Sequence, residues 1–544
     1  MKLRRHRRSP WALALSGLVV LAVSHPSAAE DSQPKAARTT GAKLDFVDAM
    51  LRTSWEDSSV KPSRPSTDEE FLRRAYLDVL GRIPNIREAS DFLKGKDSGK
   101  RAKLVEYLLA HPDYPKNFAT QWKVILLGRK NPGREVDPGA LTAWLRRQFA
   151  ENRPWNEAAF DLLDAKGSNK ENGAVNFTLA HMAEGAVNLT SITTRVFLGQ
   201  QIQCTQCHDH PSNDWKQSDF WGINAFYKGL RREEVRTANA AGVEVADHYL
   251  LSDEPSDKFS SFERRDARLG IAFPTFLDGR KISQNKDVDR REALARFITE
   301  PANDSFPKAY VNRMWGHFFG RGFVQPVDDF GTHNPPSHPE LLDKLGQEFK
   351  ASKYDTKALI RWIMNSDAYH LTSAAIKENE KDETLFSHMN LKPMTPEQLF
   401  DSLIVATAAH KAGGGGDDQA KRRDEWMKQF DIAFANDEGE ESTSFQGTIP
   451  QALMMMNGPL MEQAVGGRSG SFLADLLERA RLQARGSVET YVVNHLYLAA
   501  LSRAPGRREL DAARHYLVNN EDTIGVMEDM FWALLNSNEF VLNR

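Results

Sequence analysis

Cys204 and Cys207 are the only cysteines in a chain of 544 residues, so no disulfide framework can hold the fold, and its cores have to be built from buried apolar side chains. The pair stands in Cys-Thr-Gln-Cys-His, with His208 completing the motif. C-x-x-C-H is the attachment signature of c-type haem: two thiols add to the porphyrin vinyl groups and the adjacent imidazole ligates the iron. The segment from Thr194 reads as a helix ending near Pro211, and residues three and four apart on a helix share a face. Cys204, Cys207 and His208 would then point at one ligand, with haem c as cofactor and His208 as the metal ligand. Two other readings use the same residues: a transition-metal site that adds His210, and a structural or redox-active disulfide. A zinc site would want a second C-x-x-C or H-x-H cluster, which the chain lacks. A thioredoxin-like role would want a βαβ context.

The first 29 residues have the three parts of a secretory signal: basic Lys2, Arg4, Arg5, Arg7 and Arg8, an apolar run from Trp11 to Val23, and Ser27-Ala28-Ala29 as a small-residue cleavage site. The run falls short of the roughly 20 residues that span a bilayer, and no later stretch is long and apolar enough. The expectation is an exported protein of the periplasm or cell surface with no transmembrane segment after signal cleavage. The whole chain carries 71 Lys+Arg against 74 Asp+Glu. Loss of the basic leader deepens the acidic balance, which argues against nucleic acid as a partner.

Residues 30–42 are polar and without periodicity, as a linker is. Helical spacing begins immediately after. Leu44, Val47, Met50 and Leu51 share a face, and Thr67 precedes DEEFLRRAYLDVL with Glu70 placed to complete a capping box. DWKQSDFWGINAFY reads as a helix capped by Asp214 or Ser212. From 231 to 286 the texture changes: Val235, Val243, Val245 and then GIAFPTFLDGRKI favour short strands with Gly and Asp turns. Helical patterns resume at Asp289 and run to the end, interrupted by polar loops at Gly413–Gly416 and Asn436–Ser444. The fold class is therefore mainly α, with two helical domains (43–230 and 287–544) and a small β-rich insert (231–286) between them.

Several stretches, FLRRAYLDVLGRIPNIREASDFL and VFLGQQIQCTQCHDHPSNDWKQSDFWGINAFY in the first half, then YVNRMWGHFFGRGFVQPVDDFGTHNPPSHPELLDKL, MTPEQLFDSL, GTIPQALMMMNGPLM, LYLAALSRAPGRRELDAARHYL and WALLNSNEF, carry a resemblance. Together they resemble the paired planctomycete domains of unknown function that accompany cytochrome c modules, from about Phe46 to the C-terminus. The resemblance implies a fold, export, and association with envelope redox proteins or cytochromes; it implies no reaction. Many relatives carry a separate N-terminal cytochrome module, for which the stretch between the leader and Phe46 is too short.

His317, Asp328, Asp329, His333 and His338 form a second constellation, in which carboxylate and imidazole suit a metal or a general acid/base pair. The bland alternative makes Ser337 and Glu340 a capping box and pairs the aspartates with Arg313 or Arg321. Candidate distal ligands to a haem iron are His181, Met182, Met314, Met364 and Met454 to Met456. Three functions remain open at this point. They are an exported c-type haem protein acting in electron transfer or redox chemistry, an envelope binding or scaffolding protein with a structural C-x-x-C, and an exported hydrolase using His317, Asp328 and Asp329.

Overall fold

The computed structural model describes residues 45–129, 132–283, 288–407, 421, 425, 465–466, 471–484 and 486–544. The leader and linker, the Gly413–Gly416 and Asn436–Ser444 loops, and Met454 to Met456 lie outside the described residues.

Ten helices precede and flank the strands: α1 (Asp45–Asp57), α2 (Asp68–Leu80), α3 (Ile86–Lys94), α4 (Lys100–Ala110), α5 (Asp113–Leu127), α6 (Pro138–Ala150), α7 (Trp155–Leu163), α8 (Val175–His181), α9 (Ala183–Leu198) and α10 (Gln217–Asn224). A short strand β1 (Gly167–Ser168) pairs with β3 (Glu244–Asp253), whose other neighbour is β2 (Leu230–Ala238), all antiparallel. Strands β4 (Ser260–Glu263) and β5 (Leu269–Ala272) make a separate hairpin. Val235 lies in β2 as expected, whereas Val243 falls in the turn before β3, its N–H donating to Asn239 Oδ1. Helices α11 (Arg290–Thr299), α12 (Ser305–Phe319), α13 (Pro339–Ala351) and α14 (Thr356–Met364) follow. Then come β6 (Lys392–Pro393), α15 (Pro396–Thr407), α16 (Phe472–Gln483), α17 (Val488–Leu501), α18 (Arg507–Val518), α19 (Thr523–Leu535), α20 (Asn538–Val541) and β7 (Leu542–Asn543). The protein is mainly α, and no described helix is long and apolar enough to cross a membrane.

Helix α2 organises the packing. Thr67 Oγ1 accepts the Glu70 N–H at its start, and Gly81, at φ 71°, ends it with its N–H on Leu77 O, the left-handed stop that glycine takes without strain. The expected capping box closes only halfway, because the Glu70 carboxylate turns inward to Thr372 and Ser373. The helix has almost no solvent face: Phe71 to Leu80 are all buried, including Arg73, Arg74 and Asp78. Its residues divide between two apolar clusters. Phe71, Leu72, Ala75, Tyr76, Val79 and Leu80 join one that runs from Val47 to Met389, and Leu77 joins another that runs on to Phe540.

Buried charge is tolerable only where partners replace water, and each buried charge of α2 has them. Arg73 donates to Ala500 O (3.0 Å) and Phe540 O (2.6 Å), and burial pushes its pKa down to about 9. Arg74 donates to Tyr369 O (2.6 Å) and Arg544 O (3.0 Å). Asp78 accepts from Tyr369 Oη, Lys392 Nζ and Asn543 Nδ2, each at 2.7 Å. Strand β7 pairs with β6, so residues 542–543 close onto the same helix. The described residues all fall in one compact unit.

Candidate metal centre at the Cys-x-x-Cys-His turn

Helix α9 does not run to Pro211. It stops at Gly199, whose φ of 67° is left-handed and whose N–H bonds back to Arg195 O. A side chain at this position would collide with another part of the chain, since a Cβ on Gly199 would lie 2.5 Å from the Phe330 ring. Phe330 N–H also donates to Gly199 O at 2.9 Å. The motif therefore sits after the helix, on a single 3-10 turn at Gln203–Gln206 with Cys207 as its C-cap. Thr205 in the middle is buried and its Oγ1 donates to Ile202 O, anchoring the turn. Helix α10 begins at Gln217, later than Asp214 or Ser212 would place it, with the Asp219 carboxylate accepting the Lys216 N–H.

Two indoles brace this turn. Trp221 Nε1 donates to Gln206 O at 3.1 Å, and Trp215 Nε1 donates to Gln200 Oε1 at 3.1 Å. Gln217 Nε2 ties Gln206 O to Glu263 O of the β4–β5 hairpin. Both cysteines are free thiols: Cys207 is exposed and Cys204 half-buried. Burial, helped by the neighbouring Asp329 carboxylate, pushes the Cys204 thiol pKa up. A thiol held in its protonated form is not an activated nucleophile.

The second constellation divides. His317 belongs to the core: its Nε2–H donates to Asp78 O at 2.8 Å, its ring packs on Phe118 and Phe318, and burial depresses its pKa. His338 is buried between Ser54 and Ser337, and it is the N-cap of α13, so the Ser337–Glu340 capping box does not form. Asp328 is buried against Gln201 Nε2 (2.8 Å) and Arg195 Nε (3.4 Å), with Arg313 also beside it. Burial lowers the Arg313 pKa to about 10. Arg321 pairs instead with Glu383. Of the rest, Asp329 acts electrostatically on Cys204 and His333 meets His210 in the loop that carries the motif.

They do so through an interlock of two loops. Thr332 N–H donates to Asn213 Oδ1, and a Cβ on Gly331 would lie 2.3 Å from Asn213 Nδ2 and 2.6 Å from His333 Nδ1. Only glycine lets these two side chains meet. His333 Nε2 donates to Asp329 Oδ2 at 3.2 Å, and the His210 and His333 rings are 5.7 Å apart. Burial and the nearby His333 lower the His210 pKa. Asn213, Gln201, Arg195 and Gly331 are the partners that sequence reasoning missed.

The hydrogen bonds fix which imidazole nitrogens keep a lone pair, since a neutral ring has one donor and one acceptor. His208 Nδ1–H donates to Asp209 O at 2.7 Å, leaving Nε2 as the acceptor. His333 spends Nε2–H on Asp329, leaving Nδ1. His210 Nδ1 receives the Ser212 N–H at 3.1 Å, so its lone pair is already used. The donor set at the turn is thus two thiols and one oriented imidazole, which fits attachment of c-type haem. The distal candidates do not approach it: His181 bonds Leu126 O, and Met314 and Met364 are buried in the main apolar cluster. Met182 packs against that same cluster. A carboxylate trio at Asp164, Asp253 and Asp289 is already compensated by Lys166 and Arg291.

Residues 46–232 match the family model PSCyt2, protein of unknown function (DUF1549), and residues 290–424 match PSD1, protein of unknown function (DUF1553). The chain belongs to the paired planctomycete cytochrome-associated domain family. The Cys-x-x-Cys-His turn lies in the PSCyt2 domain, and Asp329 and His333 come from the PSD1 domain. No curated protein and no solved structure matches the chain.

Proposed function

We propose that this chain is an exported redox protein of the cell envelope, in which Cys204 and Cys207 would hold c-type haem and His208 would ligate its iron. The observation that supports it most is the His208 ring, whose Nδ1–H is committed to Asp209 O in a motif with two free thiols, Cys207 exposed and Cys204 half-buried. A backbone carbonyl on one ring nitrogen fixes the tautomer and raises the basicity of the other, as in metal-ligating histidines generally. The group would supply reversible one-electron exchange with an envelope redox partner or cytochrome. Trp215 and Trp221 hold the turn in shape, and Thr205 keeps its backbone anchored. Lys2 to Arg8, the apolar run and Ser27-Ala28-Ala29 support export.

The test is expression with a cytochrome maturation system, followed by intact mass and a reduced-minus-oxidised spectrum. Thioether attachment survives denaturation and acid extraction, and Cys207→Ser weakens or abolishes covalent retention. A colourless product at apoprotein mass, from cells that mature a control cytochrome, overturns the reading. A two-hydrogen mass deficit reversible by reductant would then identify a disulfide.

A further inference from the structure

The β4–β5 hairpin turns one face inward and leaves the other uncovered. Inward, Phe262 lies over Gly270, where a Cβ would come within 2.4 Å of its ring, and Trp221 stacks on Phe262 with the ring planes 2° apart. Gln217 Nε2 donates to Glu263 O at 2.7 Å and holds the same strand. The register pairs Ser261 with Ile271 and Glu263 with Leu269 on the opposite face. Phe259 and Phe273 continue that face beyond the ladder, their rings 5.7 Å apart. Outward positions of a hairpin with one face on the core are ordinarily polar. Here Leu269 is 71% exposed, Ile271 49%, Phe259 45% and Phe273 40%. We propose that this hairpin docks the protein on an anionic phospholipid bilayer, which receives the apolar strip at its interface and the turn arginines on its phosphates.

The turn at the end of the strip supplies the charge. Arg264 N–H donates to Arg268 O at 2.9 Å, and every residue from Glu263 to Leu269 is exposed. Asp266 accompanies Arg268 at 3.6 Å, whereas Arg264 and Arg265 have no carboxylate partner among the described residues. A guanidinium binds phosphate through two parallel hydrogen bonds and sheds water more readily than an ammonium. Unpaired basic groups beside exposed apolar side chains hold an element at a lipid interface, because apolar burial adds to attraction for anionic headgroups. Glu263 is the one acid on the strip, and Arg264 follows it directly. A hairpin exposed along its whole turn suits a fluid surface that moulds to it, where a protein partner would have to present a matching hollow. The proposal is independent of what the Cys204–His208 turn carries.

The experiment is flotation of the chain from Glu30 to Arg544, which contains every described residue, with vesicles of phosphatidylglycerol and phosphatidylcholine in equal parts and with vesicles of phosphatidylcholine alone. One variant combines Leu269→Ser with Ile271→Ser, the other Arg264→Gln with Arg265→Gln. These side chains are all exposed, and circular dichroism checks that both variants fold as the parent does. The parent should float with the mixed vesicles, far less with phosphatidylcholine alone, and less as salt rises. Loss of the two arginines should weaken binding about thirtyfold, and loss of the two aliphatic side chains about tenfold or more. A parent that stays unbound or binds both vesicles alike overturns the proposal, as do double variants that float as well as the parent. A parent that ignores vesicles but forms a concentration-dependent dimer, abolished by Leu269→Ser with Ile271→Ser, also overturns it and assigns the face to a second copy of the chain.

Discussion

Gly199 and Gly331 show how single residues allow two distant stretches of chain to touch. At Gly199 a left-handed backbone and a close aromatic ring coincide. Gly199→Ala adds the strain of an L-residue in that region, about 1–2 kcal/mol, to the overpacking of Phe330, about 1–3 kcal/mol. Urea unfolding should therefore show a loss of about 2–5 kcal/mol. His370 gives a pH prediction at the same scale. Burial, reinforced by Arg101, lowers its pKa from 6.5 to about 4, with its ring bonded to Met364 O. Between those values the unfolded chain binds a proton that the folded one refuses. Stability is therefore intact above about pH 6.5 and declines as pH falls towards about 4, by on the order of 2–3 kcal/mol from this group. Buried His317 and His338 are shifted in the same direction. Urea midpoints between pH 7.5 and 4.5 measure the slope, and His370→Gln should flatten it.

At the scale of elements, α2 is the part whose role local pattern could not convey. Its spacing announced a helix, and Thr67 and Gly81 marked its ends. The sequence could not show that Arg73, Arg74 and Asp78 would be buried, because their partners lie 291 to 470 residues away. The motif turn departs from its helical pattern for a related reason. TRVFLGQQIQCTQCH keeps helical spacing, but Gly199 takes a left-handed stop against Phe330, which is far along the chain. In the 317–338 constellation composition was legible and grouping was not: one helix face sends His317 to Asp78, while the following loop brings His333 to His210. The Asp78 cluster gives the element-scale prediction. Lys392→Ala leaves Asp78 buried with Tyr369 and Asn543 and with the Arg74 charge as its remaining cation, and removing one partner of a buried pair typically costs about 3–5 kcal/mol. Lys392→Met should cost a similar amount, and Lys392→Met combined with Asp78→Leu should recover much of it in the same denaturant assay.

For the whole molecule, the main apolar cluster draws on Val47 at one end and Met389 at the other, crossing the strand-rich segment. A fragment limited to residues 46–232 exposes the surfaces that Tyr310, Trp315 and Phe318 would cover. It should show no cooperative thermal transition by circular dichroism, whereas the full chain should. The bonds from Arg73 and Arg74 to Phe540 and Arg544 set an order of events as well as a stability. During synthesis α2 emerges more than 400 residues before the carbonyls that satisfy the Arg73 guanidinium. Until then its charges can only remain wet. The nascent chain is accordingly kept from settling into its final form until its last strand closes onto α2.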